Sequence, residues 1–169
     1  MRGNDDDGGV PARYNTLTTH ASRSSLFCSS PLSFSLTQVW DHEVNVPILT
    51  FDLGEAVGDV AWSPFSSTVF AAVTNDGKVS VFDLSVDRHE PLCDQSLALG
   101  AGRKLTRVAF NTKDPIILVG DDKGVVHALK LSPNLRKLTP IPDGMTRGDV
   151  EIEKVNDLIG AVDPRAIEV

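Results

Sequence analysis

Residues 54–84 constrain the possible folds more than any other stretch, because three strand signals and two turn signals lie within it. A short apolar strand, Val60-Ala61-Trp62, is stopped by a proline, which has no N–H for a strand ladder. The next strand, residues 69–73, is apolar on both faces, as expected for a strand between two other layers. Asn75-Asp76-Gly77 supplies residues that tolerate positive φ, and residues 78–82 then alternate in character. The stretch predicts a three-stranded antiparallel meander.

This pattern recurs along the chain. Downstream copies of its segments stand at offsets of 47 or 48 residues, at 107–111, 115–119, 122–124 and 125–129. Upstream, Val39-Trp40-Asp41 precedes Val81-Phe82-Asp83 by 42 residues. A period in the forties, with four short strands and an aromatic-Asp pair closing each unit, is typical of a WD-repeat propeller blade. The sequence therefore predicts an all-β fold, a partial WD-repeat β-propeller.

The repeat units suggest three segments of chain. The last inner strand of one blade is expected to begin near Leu36, and the outer strand of the same blade is expected at residues 48–53. A complete unit follows at about 55–98 with its outer strand near 90–99, and a further unit at about 104–138 has three strands and no obvious fourth. We expect about two and a third blades of four-stranded antiparallel sheet in residues 39–138, fewer than the four to eight of most propellers.

The two flanks differ in composition from the repeats. Residues 1–38 combine a run of aspartates with a Ser/Thr-rich tract and lack a helical or strand period, which is typical of a disordered segment. No basic start precedes the patch at 26–34, so a secretory signal is not predicted. In the tail, residues 139–169, Asp149 is expected to cap a short amphipathic helix. Its apolar face comprises Val150, Ile152, Val155, Leu158, Ile159 and Val162, and its polar face comprises Glu151, Glu153, Lys154 and Asp157. This helix could dock on its own propeller or on a partner.

Composition and charge exclude several classes of function. The chain has 41% apolar and 23% charged residues and a net charge of −7, spread without long runs, so no nucleic-acid partner is expected. No apolar run is long enough to suggest a membrane span, and no membrane partner is expected. Two cysteines, Cys28 and Cys93, provide neither metal spacing nor a convincing disulfide framework.

No catalytic, cofactor-binding or metal site is predicted, and the chain is not expected to be an enzyme. The four histidines are dispersed, and His127 lies on a predicted strand. Residues 100–104 lack the full spacing of a phosphate-binding loop. The pair Asp121-Asp122 could be a metal or acid pair, but Asp-Asp-Lys-Gly is more simply explained as hairpin chemistry.

The run at residues 39–84, continued by 115–137, resembles the carboxy-terminal part of the WD-repeat propeller of axonemal dynein intermediate chains, most of all the first outer-arm type. The stretches GDVAWSP, SSTVFAAVT and LKLSPNLRK carry the resemblance, and residues 1–38 are not expected to share it. The general WD pattern has Gly-His where Gly58-Asp59 and Thr106-Arg107 stand here, and tryptophan where Phe82 and Leu129 stand. Only Asp76, Asp122, Trp40 and Asp41 remain of it, so we do not expect the family's buried polar set to be intact.

The resemblance implies a non-catalytic scaffold subunit of an outer-arm dynein in the axoneme of a cilium or flagellum. Its implied partners are the dynein heavy chain and other intermediate and light chains, with microtubules contacted indirectly. The partner-binding residues are then expected where the chain leaves the last strand, at Asn134, Leu135, Arg136 and Lys137. Two alternatives stay open: a WD-repeat adaptor in another complex, and a truncated product without independent function.

Overall fold

A computed structural model of the chain describes residues 14–19, 26–31, 35–41, 47–97, 103–136 and 140–160. Within these ranges the chain forms three antiparallel sheets, a 3-10 helix at Pro133–Arg136 and an α-helix, α1, at Arg147–Gly160. The first sheet contains β1 (Tyr14–Thr19), β2 (Leu26–Pro31), β3 (Leu36–Asp41) and β4 (Pro47–Asp52). The second contains β5 (Val57–Trp62), β6 (Val69–Thr74), β7 (Lys78–Asp83) and β8 (Cys93–Ser96). The third contains β9 (Leu105–Phe110), β10 (Ile116–Asp121) and β11 (Val126–Lys130).

The predicted meander is confirmed as β5–β6–β7. The strands pair in chain order, with Val60 opposite Ala72 and Ala72 opposite Ser80. Gly77 has φ of 90°, a conformation that costs glycine little, and it closes the β6–β7 turn. Gly124 has φ of 81° at the matching place in the third sheet, so the sequence repeat is also a structural repeat.

The amino-terminal part of the chain differs from the prediction. Residues 1–38 were expected to lack regular structure, but β1 and β2 lie within them and pair antiparallel with each other and with β3. The prediction is wrong for these two strands, and the described residues form two four-stranded sheets and one three-stranded sheet. Strand formation depends on the neighbouring strands that supply partners, and a Ser/Thr-rich stretch carries no apolar alternation to reveal it.

Strand β6 is buried on both faces, as the sequence predicted. On β6, Phe70 and Ala72 face the first sheet, whereas Ala71 and Val73 face the third. On β7, Phe82 and Val81 divide in the same way, which confirms the predicted two-faced strand. Each sheet thus buries its apolar side chains against the next one, as stacked blades do.

Four aromatic rings fill the core between the first and second sheets. Phe70 and Phe82 are stacked with centroids 4.7 Å apart, and Phe51 of β4 lies 4.7 Å from Phe82. Trp62 meets Phe70 edge-on at 5.3 Å. We call this group the aromatic core. Between the second and third sheets, the repeat places Leu129 where Phe82 stands, and the core is mostly aliphatic. We call it the aliphatic core; its buried residues are Val69, Ala71, Val73, Val79, Val81, Leu105, Val108, Ile117, Val119 and Leu131.

The innermost strands of the second and third sheets approach very closely. A Cβ atom added to Gly58 on β5 would lie 2.1 Å from the carbonyl oxygen of Leu105 on β9, closer than Cβ contacts occur. The carboxylate of Asp59, a residue only 4% exposed, accepts a 3.0 Å hydrogen bond from the N–H of Val108. Gly-Asp at this position therefore joins two sheets.

Helix α1 docks on the aromatic core, which decides between the two possibilities left open by the sequence. Val155 and Leu158 are buried in that core with residues of the first and second sheets. Ile152 was expected on the same face but is 38% exposed, and Val162 lies outside the described residues. The predicted cap is also different, because Thr146 precedes the helix and exchanges hydrogen bonds with Asp149 in a capping box.

The described part of the chain contains no helix that combines the length and apolar character needed to cross a membrane.

Candidate partner-binding surface

The residues predicted to bind a partner follow β11 and form the 3-10 helix. Leu131 N–H donates to the carbonyl of Pro115 at 2.8 Å, and Leu135 N–H donates to that of Ser132 at 3.1 Å, which turns the chain off the sheet. Asn134 is exposed, whereas Leu135 is half-buried against the aliphatic core. Lys137 and the side chain of Arg136 fall outside the described residues. The structure thus brings Asn134 and Leu135 to one turn, and the four-residue site stays a prediction.

A cleft of about 350 Å³ adjoins this turn, between the second and third sheets. Cys93, Gln95 and Leu97 lie on the β8 side, and the opposite wall is formed by the end of β11 and the turn after it. Most of the lining is apolar, while Lys130 and Ser132 provide polar groups. Cys93 is exposed and its thiol is free. Sequence reasoning missed this cleft, because neither sheet alone contains it.

Helix α1 is fixed to the second sheet by a buried carboxylate. Ser67, in the β5–β6 turn, donates its N–H to Glu151 Oε2 at 2.7 Å, and its hydroxyl lies 2.7 Å from the same oxygen. Lys154 Nζ is 3.0 Å from Glu151 Oε1. Burial alone would raise the pKa of Glu151, but the hydrogen bonds from Ser67 and the charge of Lys154 outweigh it, so the pKa is lowered.

The sequence placed Glu151 and Lys154 on the polar face of α1, opposite its apolar stripe, but the structure buries Glu151 and half-buries Lys154. Glu151 is 5% exposed because the β5–β6 turn lies above that side of the helix and offers it an otherwise unpaired N–H. A buried backbone donor needs an acceptor, and the carboxylate supplies one. No periodicity within α1 could reveal this, since the donor lies in a turn 84 residues away.

Asp121 and Asp122 both accept hydrogen bonds from backbone N–H groups at this turn, as the hairpin interpretation predicted. The carboxylate of Asp121 is buried and accepts the N–H groups of Lys123 at 2.9 Å and Val125 at 2.8 Å. Arg103 Nη1 lies 3.0 Å from its other oxygen. Burial acts to raise the pKa of Asp121, yet these donors lower it. Across the described residues, no three His, Cys, Asp or Glu side chains converge to hold a metal ion.

The turn aspartate of the WD pattern is present in the second sheet, but in the third sheet a different aspartate caps the turn. Asp76 caps its turn through Thr74 Oγ1 and the N–H of Lys78. In the third sheet this capping falls to Asp121, whereas Asp122 accepts from the N–H of Lys104 at 3.1 Å. In β5, Asp59 stands where the WD pattern has histidine, and its carboxylate accepts a hydrogen bond from the neighbouring sheet.

Two of the four histidines, His89 and His127, lie in the described part of the chain. His127 is half-buried on β11, and its Nε2 is buried without a hydrogen-bond partner. His89 is exposed in the loop after β7, where its N–H donates to Asp87. His20 and His42 lie outside the described residues. Of the glycine-rich stretch 100–104, the structure describes only the last two residues.

Comparison with known proteins gives a consistent result. No protein-family model matches the chain. It is 48% identical to a ciliary dynein intermediate chain 2 of Heliocidaris crassispina over 155 residues, or 89% of this chain and 22% of that protein. It is 49% identical over 80% of its length to axonemal dynein intermediate chain 1 of Bos taurus, of which it covers 19%. It is 47% identical over 70% of its length to the 78 kDa intermediate chain of the Chlamydomonas reinhardtii flagellar outer arm, of which it covers 17%.

The chain therefore spans about a fifth of the length of the curated relatives it matches. These matches confirm the resemblance found in residues 39–137. Residues 39–169 make up less than 89% of the chain, so the match to the Heliocidaris crassispina protein extends into residues 1–38. That segment was expected not to resemble the family, and this expectation is wrong for part of it.

Proposed function

We propose that this chain, which is similar along most of its length to one segment of the axonemal dynein intermediate chains, is a non-catalytic scaffold subunit of an outer-arm dynein. Its identity of 47–49% to intermediate chains of a cilium, a flagellar outer arm and an axoneme carries the proposal. The place of action is then the axoneme, and the contribution to movement is structural.

The proposed partners are the dynein heavy chain and other intermediate and light chains, with microtubules engaged through the complex. The stacked sheets support this role because interlocked cores hold the turns at their ends in fixed positions. ATP hydrolysis would belong to the heavy chain.

We assign the heavy-chain contact to the turn after β11, with Asn134, Leu135, Arg136 and Lys137. Asn134 is exposed there, and the fold of Leu135 onto the aliphatic core anchors the turn. Two adjacent cations suit an acidic partner surface, because opposite charges speed and orient association.

The test is co-precipitation of heavy chain with the full-length protein carrying Arg136→Glu and Lys137→Glu. We expect recovery to fall by roughly tenfold, the effect of losing about 1.4 kcal/mol. The matched control is Lys104→Glu with Lys123→Glu, two exposed cations at the opposite end of the third sheet, which should leave recovery unchanged. Equal recovery with both double variants would remove this turn from the interface.

A further inference from the structure

Helix α1 lies outside the strand ladders of the three sheets. It packs on the junction of the first and second sheets, where Val155 and Leu158 are buried with the aromatic core. The four rings of that core come from β4, β5, β6 and β7. The helix therefore covers a core whose aromatic rings are all supplied by the strands.

The segment that leads into α1 has the properties of a hinge. Residues 140–146 form neither strand nor helix and are exposed. In the described part of the chain their hydrogen bonds are local, since Met145 N–H donates to the carbonyl of Pro142 and Thr146 pairs with Asp149. Pro140 and Pro142 have no N–H with which to join a sheet. A change of backbone angles in this segment can move α1 without breaking a strand ladder.

One pair of residues concentrates the polar contact between α1 and the second sheet. The hydroxyl of Ser67, which lies 2.7 Å from Glu151 Oε2, also lies 2.9 Å from the main-chain oxygen of Glu151. The N–H of Ser67 donates to the same carboxylate. Lys154 Nζ, which pairs with this carboxylate, is 3.5 Å from Ser66 Oγ. Loss of the Ser67–Glu151 contact would therefore remove several hydrogen bonds at once.

The surroundings of α1 and of β6 predict different local stabilities. Every residue of β6 is buried, and the strand pairs with β5 on one side and β7 on the other. The outer face of α1 is exposed at Ile152, Glu153 and Asp157. Elements with fewer buried apolar contacts and more exposed backbone hydrogen bonds open at lower free energy than the core of a protein. We therefore expect α1 to open more readily than β6.

We propose that α1 is a strap that detaches from the aromatic core as a unit while the sheets stay folded, and that the Ser67–Glu151 contact is its latch. The closed strap covers the end of the core beside the β5–β6 turn, and the open strap exposes apolar side chains there. This motion belongs to the chain itself and does not depend on the proposed heavy-chain contact.

The experiment is native-state amide hydrogen exchange of the full chain, followed by NMR in low concentrations of urea. The amides of Val155 and Leu158 should share one opening free energy, with protection at least roughly tenfold lower than that of β6. Their opening should also depend less on urea, because it exposes less surface than global unfolding does. Equal protection and equal urea dependence in α1 and β6 would overturn the proposal. Unrelated opening free energies along α1 would overturn it too.

The latch is tested by adding a charge on either side of the contact. Ser67→Asp places a second carboxylate against Glu151, so α1 protection should fall by roughly tenfold or more while the sheets keep their native spectrum. Ser66→Asp is the matched control in the same turn, and its carboxylate faces Lys154, so α1 protection should not fall. Unchanged α1 protection in Ser67→Asp would overturn the latch, and unfolding of the sheets in that variant would overturn the independence of the strap.

Gly58→Ala separates opening of the strap from global unfolding. Gly58 packs against Leu105 of the third sheet, so its replacement destabilises the sheets equally whether the strap is closed or open. The β6 amides should exchange roughly tenfold faster in this variant, whereas the α1 amides should exchange at the wild-type rate. Acceleration of both by the same factor would mean that α1 opens only when the whole chain unfolds, which would overturn the proposal.

Discussion

At the scale of single residues, carboxylates that accept hydrogen bonds from backbone N–H groups connect separate elements of the chain. Asp59 joins β5 to β9, Asp121 closes the β10–β11 turn, and Glu151 fixes α1 to the β5–β6 turn. The donors of Asp59 and Glu151 lie on buried residues, Val108 and Ser67, and leaving such a donor without a partner costs about 1–3 kcal/mol. The acidic residues of the core therefore have structural roles.

Glu151→Gln is predicted to loosen the docking of α1. The amide oxygen can still accept from Ser67, but the charge that pairs with Lys154 is lost, so the free energy of unfolding should fall by about 1–3 kcal/mol at pH 7. Urea unfolding measures this change. Glu153→Gln, an exposed position on the same helix, is the control and should change stability little.

Glu151→Gln should also change how the free energy of unfolding depends on pH. Because the folded pKa of Glu151 is lowered, its contribution to stability is complete above the unfolded value of about 4.3 and is lost as pH falls through the folded pKa. As pH falls below the unfolded value and through the folded pKa of Glu151, the difference in stability between the wild-type and Glu151→Gln proteins should therefore shrink. A constant difference at every acidic pH would contradict the assigned role.

At the scale of elements, strands β5, β6 and β7 each contribute to two cores at once, and the spacing between strands of neighbouring sheets is set by small residues. Gly58 is the clearest case, since Leu105 leaves no room for a side chain. Replacement of Gly58 forces β5 and β9 apart and disturbs the Asp59–Val108 hydrogen bond next to it.

Gly58→Ala is predicted to reduce the free energy of unfolding by about 1–3 kcal/mol, the usual cost of overpacking. Gly120→Ala is the matched control in strand β10, because its nearest neighbour to an added Cβ is the side chain of Arg107 at 3.6 Å. Chemical denaturation of both variants measures the difference. Equal stability of the two variants would show that β5 and β9 are not packed as described.

Helix α1 gives a second comparison at this scale. Leu158→Ala should cost about 2–5 kcal/mol, because Leu158 is buried in the aromatic core. Ile152→Ala should change stability by less than about 0.5 kcal/mol, because Ile152 is exposed. A similar loss for both would favour the helix face predicted from sequence over the one in the structure.

How far the sequence predicted these elements depended on whether the signal was local. The order and turns of β5–β7 follow from alternation, a proline stop and an Asp-Gly turn within the segment itself, although β5 begins at Val57, before the predicted Val60. Strands β1 and β2 lack such a pattern, and their partner β3 is what makes them strands. The buried state of Glu151 depends on the distant Ser67, so helical periodicity placed it on the wrong face.

At the scale of the whole molecule, the described chain is a stack of blade-like sheets with one closed core at each junction and an open edge at β11. The fold class and the family resemblance were predictable because the repeat is visible in the sequence. The candidate surfaces were less predictable from the sequence, because the cleft forms between β8 and β11, which lie in different sheets. The boundary expected near residue 138 stays a prediction.

The most direct test of the central claim is sedimentation of a salt extract of axonemes, probed with an antibody to residues 83–134. If the chain is a scaffold subunit of outer-arm dynein, it should sediment in the same fractions as the dynein heavy chains. It should also leave those fractions together with them in axonemes that lack outer arms. Sedimentation as a free protein, with heavy chains in other fractions, would contradict the account.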